Sequence, residues 1–265
     1  MRGLTAIVRP PSVALAACEL THFARQPIDV ARAQAQHASY VALLRALGAT
    51  VEVLPAEPDL PDAVFVEDVA VVLDELAVIA NPGAASRRAE VGAVAAALAC
   101  HRPSHRMLPP ATLDGGDVVV VDRTLYVGRS TRTNPEGISW VRALLAPHGY
   151  AVEAVGVGAC LHLKSACTYL GEGVLVANPE WMEVTAFGGL EIVPVAPAEP
   201  RAANTFRVGG AVVMADGFPR TRAAIEARGF AVHAVDLSEL QKAEAAGSCM
   251  SLVFRKRATR GDEGR

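Results

Sequence analysis

One short polar element recurs five times along the chain, each time directly ahead of an apolar run: VFVEDVAVV, LDGGDVVVV, LHLKSACTYL, ANTFRVGGAVVM and SCMSLVFR. With Asp68, Asp114, His162, Asn204 and Cys249 set as equivalent points, the successive intervals are 46, 48, 42 and 45 residues. Such spacing marks a repeat architecture, in which each unit is too small to bury its own apolar face and must stack on its neighbours. Each unit also carries a stretch with helical periodicity, predicted at 29–47, 86–99, 135–147, 180–187 and 219–228. Asp29 and Ser86 suit N-caps, Pro135 suits a first turn, and Gly48, Gly149 and Gly229 suit helix stops. A β-rich run follows every helix, beginning at Val51, His105, Ala151, Glu191 and Ala231.

If the five units close in a ring, the corresponding strand starts face one central channel, as blades face the axis of a propeller. The expected fold class is therefore α/β, a five-bladed propeller with pseudo-fivefold symmetry. At 265 residues and 51% hydrophobic content, the chain has enough apolar surface for a single domain over 1–256, and RKRATRGDEGR at its end reads as a solvated tail, disordered over 257–265. A formal net charge of −3 excludes a nucleic-acid groove, which needs clustered excess Lys and Arg, and leaves a small molecule as the expected partner. The five cysteines form no C-x-x-C pair, and no apolar run is long enough to span a bilayer. Both features point to a soluble chain in the reducing cytoplasm.

Cys249 sits behind small residues in AGSCMSLVF, at the point equivalent to His162 in LHLKSACTYL. Taken singly, the cysteine reads equally as inert core and the histidine as a satisfied core residue. Taken together they read as a nucleophile, reactive only as its thiolate, with a proton carrier beside it. Asp114 in LDGGD is the third group that orients and charge-stabilises that histidine. In PDAVFVEDVAVV, the acids Asp62, Glu67 and Asp68 stand among apolar residues; buried carboxylates need a counter-charge, and a planar guanidinium is the best geometric match. Zinc is the competing use of His, Cys and Asp.

The strings PDAVFVEDVAVV, NPGAASRRAEV, LDGGDV, TRTN, LHLKS and GSCMSL, in that order, resemble the dimethylarginine dimethylaminohydrolases, guanidine-modifying enzymes of the pentein fold. The likeness runs from about Leu4 to Arg255. It implies a hydrolase that cleaves methylated arginine to citrulline through a covalent thiouronium, with no cofactor. It also implies Cys249 as nucleophile, His162 as general acid and base, and Asp114 as its support. Glu67, Asp68 and Phe65 fall to the guanidinium side of the pocket, and Asp62, Arg87 and Arg132 to the amino-acid end. Leu20 falls in a flap loop, and Ala243 offers a backbone carbonyl to the substrate amine. Ala243 is smaller than the aliphatic residue of the family pattern, and the flap CELTHFARQPID departs from it. An arginine deiminase, a hydrolase of another substituted guanidine and a noncatalytic guanidine-binding protein are the alternatives. Inhibitory zinc at Cys249 and His162, and a homodimer, stay open.

Overall fold

A computed structural model describes residues 3–256; the tail expected at 257–265 lies outside the described residues. β1 (Leu4–Val8) and β2 (Ala49–Val53) run parallel, joined by the helix Val30–Ala46. Parallel neighbours need a crossover of this kind, because a tight turn can only reverse the chain. Asp29 starts the helix as expected, its carboxylate accepting the Arg32 N–H at 3.0 Å, a cap worth about 1 kcal/mol.

The same pattern then repeats. The second sheet holds β3 (Ala70–Val72), β4 (Ala77–Ile79) and β5 (Ser104–Arg106). The third holds β6 (Val118–Val121), β7 (Thr124–Arg129) and β8 (Ala151–Gly156). The fourth holds β9 (Cys167–Gly171), β10 (Val174–Ala177) and β11 (Glu191–Pro194). The fifth holds β12 (Thr205–Val208), β13 (Ala211–Ala215) and β14 (Ala231–Val235). In each, the first strand is antiparallel to the second and the second parallel to the third. β15 (Ser251–Arg255) then returns to β1, with Leu4 opposite Arg255 and Val8 opposite Ser251. The two ends of the chain thus complete one sheet, and the ring closes through backbone hydrogen bonds. The expected five-bladed α/β propeller is the observed fold.

The strands β3, β6, β9, β12 and β15 are innermost, and side chains from all five line one axial channel. Apolar packing fills the spaces between blades: Val71 and Val78 of the second sheet share a cluster with Leu125, Val127, Ile138 and Val141 of the third repeat. No helix among the described residues is long and apolar enough to cross a membrane.

Two helix expectations need correction. The stretch 180–187 yields only a 3-10 turn at Val184–Phe187, because Met182 forms a β-bridge with Val157 and holds the chain extended. Ser86 caps nothing; its hydroxyl donates to Glu19 Oε1 at 2.6 Å. The segment Ala85–Glu90 winds as a 3-10 turn, and the α-helix begins only at Val91.

Candidate active site

Each equivalent point sits just ahead of an inner strand. Asp68 lies in the 3-10 turn Val66–Val69 before β3, and Asp114 precedes the turn Gly115–Asp117 before β6. His162 is the N-cap of the single helical turn Leu163–Ala166 before β9, Asn204 directly precedes β12, and Cys249 lies in the turn Gly247–Met250 before β15. Because the strands converge on the axis, these residues from different blades meet at one end of it.

One cavity there is lined by Asp62, Phe65, Glu67, Asp68, Arg87, Arg132, His162, Ala243 and Cys249. Asp114, fully buried, stands behind His162. Leu20 does not line the cavity; it packs against the apolar cluster that contains Leu15 and Cys18. The two glycines of LDGGD allow close approach. A Cβ on Gly115 would stand 2.1 Å from the Glu67 carbonyl oxygen, and one on Gly116 would stand 2.6 Å from both His162 Nδ1 and Asp68 Oδ1. Only glycine fits that gap.

His162 is held between two carboxylates, with Nε2 3.1 Å from Asp114 Oδ2 and Nδ1 3.6 Å from Asp68 Oδ1. Burial works against its positive charge, but the charge of Asp68, the hydrogen bond that the ring donates to Asp114 and the charge of Asp117 overcome that and push its pKa up to about 9. The imidazole is therefore protonated at neutral pH. Cys249 stands in the opposite field: burial first, then the charges of Asp68 and Glu67, push its thiol up to about 12. The sulfur therefore keeps its proton at neutral pH, and a cation beside Asp68 and Glu67 would favour its release.

Arg87 braces the acidic side. Its Nη1 donates to Asp68 Oδ2 at 2.6 Å, Nη2 to Glu90 Oε2 at 2.8 Å and to the Phe65 carbonyl at 3.1 Å. Burial alone would raise the Asp68 pKa, yet His162 and Arg87 hold it below the usual carboxylate value. Glu67 shifts the other way, up to about 7, because its burial outweighs the pairing with Lys164. Two carboxylate oxygens in this cluster, Glu67 Oε2 and Asp68 Oδ1, are buried and have no hydrogen-bond partner among the described residues.

Four contributors were given no role in the sequence reading. Lys164, two residues beyond His162, pairs with Glu67 and donates to the Gly115 carbonyl at 3.1 Å. A lysine interrupting an apolar run was the signal for it. Asp117 accepts the Leu163 N–H at 3.0 Å and the hydroxyls of Ser130 and Thr133, which fixes the segment that carries His162. Glu244, which lines the cavity, accepts the backbone N–H groups of Thr21, His22 and Phe23 at 3.1, 2.5 and 2.6 Å and so ties that loop to the cavity wall. Arg132 adds a bond from Nη2 to Thr21 Oγ1 at 2.9 Å, and Asp62 accepts the Glu19 N–H at 3.0 Å. Asn204 is the fourth.

Comparison with known proteins places the chain among similar sequences and folds. The profile of the family described as N,N dimethylarginine dimethylhydrolase, eukaryotic, matches residues 22–186. The chain is 40% identical to an N(G),N(G)-dimethylarginine dimethylaminohydrolase of Streptomyces coelicolor over 97% of this chain and 99% of that protein. It is 36% identical to the Pseudomonas aeruginosa protein of the same name, over 85% of this chain and 90% of the other. Its fold is similar to that of a solved cysteine-to-serine mutant of the Pseudomonas aeruginosa enzyme complexed with citrulline, with a TM-score of 0.89, 34% identity, and coverage of 96% of this chain and 100% of that one.

Proposed function

The chain belongs to the dimethylarginine dimethylaminohydrolase family, and from that membership we propose that it hydrolyses asymmetric dimethylarginine and monomethylarginine to citrulline and dimethylamine or methylamine. One observation carries the reading for these residues: the unpartnered oxygens Glu67 Oε2 and Asp68 Oδ1 belong to acids that line the same cavity as Cys249 and His162. Both acids are ion-paired, Glu67 with Lys164 and Asp68 with Arg87 and His162, but a buried carboxylate oxygen without a hydrogen-bond donor is still costly, and a guanidinium presents further donors in one plane.

The electrostatics then order the steps. A guanidinium seated against Glu67 and Asp68 neutralises the two charges that keep the Cys249 thiol protonated, so the substrate itself lowers the barrier to forming the thiolate. The thiol proton passes to solvent. The Cys249 sulfur attacks the guanidinium carbon, and the carbon–nitrogen bond to the methylated nitrogen breaks as His162, already protonated, supplies the proton to the departing amine. A covalent thiouronium is left on Cys249. Water attacks it while neutral His162 accepts a proton, the carbon–sulfur bond breaks, and citrulline leaves. Asp114 keeps the imidazole oriented through both halves.

In this reading the amino-acid end of the substrate faces Asp62, Arg132 and Arg87, its amine meets the Ala243 carbonyl, Phe65 forms a wall, and the flap carrying Leu20 closes above. The five unpaired cysteines support a reducing, cytoplasmic setting. The test is a panel assay with arginine, monomethylarginine and asymmetric dimethylarginine, scored for citrulline and for the released amine. Turnover of the methylated substrates over arginine is expected; a preference for arginine with release of ammonia would make the chain a deiminase instead.

A further inference from the structure

Of the five equivalent points, Asn204 is the one whose side chain cannot ionise and the one left without a part in the chemistry. It is nonetheless the residue that reaches the reacting atom. Asn204 Nδ2 donates to Cys249 Sγ at 3.8 Å, a sulfur-length hydrogen bond, from a side chain that is 7% exposed. At its other end, Oδ1 accepts the hydroxyl of Ser248 at 2.8 Å. Ser248 is also buried, and its Oγ lies 4.0 Å from the same sulfur.

We propose that Asn204 is a further catalytic residue, the hydrogen-bond donor that stabilises the Cys249 thiolate, and that Ser248 is the positioning residue that aims it. The argument is one of donor and acceptor capacity. A sulfur anion only accepts, so the amide must turn its NH₂ toward Cys249, and its oxygen must then find a donor elsewhere. The Ser248 hydroxyl is that donor. The Ala246 backbone and the Ser248 hydroxyl also favour the thiolate, and the remaining neighbours do not. Around Cys249, Asp68 and Glu67 repel it, Tyr40 gives its hydroxyl to the Gly247 carbonyl, Lys164 is paired with Glu67, and His162 is committed to Asp114. A preorganised neutral donor, buried and fixed at both ends, lowers the cost of the anion when the thiol ionises and again when sulfur leaves the thiouronium.

The proposal rests on the hydrolase reading only for its kinetic half, and the test separates the two. The pH dependence of Cys249 alkylation by iodoacetamide, read by mass spectrometry of the Cys249 peptide, needs no substrate. In Asn204→Ala the alkylation profile should move up by about one pH unit, and kcat should fall roughly 10- to 100-fold, as loss of a hydrogen bond to a charged group does, with KM changed less than about threefold. Ser248→Ala should move both in the same direction by less, and the double variant should be no worse than Asn204→Ala alone. An alkylation profile in Asn204→Ala that superimposes on that of the parent overturns the proposal even if methylarginine is not the substrate. A raised KM with unchanged kcat would make Asn204 a substrate contact and overturn it as well. If Asn204→Ala fails to fold, an unshifted profile in folded Ser248→Ala overturns the pair.

Discussion

Asp114, with no exposed surface, holds Nε2 of His162 at 3.1 Å while its other oxygen accepts the Gly83 N–H at 2.9 Å. The carboxylate is thus fixed before it orients the imidazole, and its charge is part of what keeps the ring protonated. Asp114→Asn keeps the shape and removes the charge. The expected result is a kcat lower by about 10²- to 10⁴-fold, the range seen when the third member of such a triad is neutralised. The basic limb of the kcat profile should also move down from near pH 9, since His162 is less basic without that anion. A steady-state pH series on the folded variant checks both.

The raised His162 pKa has a consequence for stability whose sign is fixed by linkage. In the folded chain the ring binds its proton up to about pH 9, against 6.5 for a free histidine. Its contribution is therefore complete below pH 6.5 and is lost as pH rises through 9. For a buried group, a shift of that size corresponds to about 3 kcal/mol, as an upper bound. Urea midpoints of the parent should fall between pH 6.5 and 9.5, and His162→Ala should flatten that fall while abolishing turnover. An equally steep fall in His162→Ala would assign the pH dependence to another group.

Lys164 offers a separate test of the acidic floor. Burial pushes the Glu67 pKa up, and Lys164 is the main group that opposes the rise. Lys164→Met should carry the Glu67 pKa above about 7, so that at neutral pH the guanidinium site is short of one negative charge. A drop in kcat/KM of roughly tenfold at pH 7, with partial recovery toward pH 9, is the expected outcome. A loss that does not depend on pH would mean that Lys164 acts through packing alone.

The blades were legible in the sequence because the polar element before each inner strand repeats with its neighbours, and the proposed nucleophile Cys249, His162 and the acids Glu67, Asp68 and Asp114 all lie in those elements. Cys249, His162, Glu67 and Asp68 could be named from sequence because a polar side chain amid valines is costly unless it has a task. The contributors that escaped notice act across the ring. Glu244 lies more than two hundred residues from the flap it holds, at a sequence separation of 221 from Phe23, and no local pattern joins the two. Arg87 was legible as a cation, but its bonds to Asp68 and Glu90 follow from a 3-10 turn that periodicity alone reads as helix. The stretch 180–187 failed for a similar reason, since its bridge to Val157 is tertiary.

Glu244 bears on how the cavity opens. Its backbone sits in the left-handed region at φ +58°, uncommon for a residue with a side chain, and its carboxylate gathers three consecutive flap N–H groups. Those bonds form a small anion nest whose strength depends on the charge, because ionised acceptors bind N–H groups about twice as strongly as neutral ones. Glu244→Gln should keep the shape with weaker bonds, and Glu244→Ala should release the flap. For Glu244→Ala, KM should rise by about tenfold, in line with a few lost charge-assisted bonds, with a smaller effect on kcat because neither the sulfur nor the imidazole depends on the flap. Hydrogen exchange over residues 19–25 should quicken in the order parent, Glu244→Gln, Glu244→Ala. If KM rises while exchange in the flap does not change, Glu244 meets the substrate directly; if exchange quickens and KM stays the same, closure contributes nothing to substrate retention.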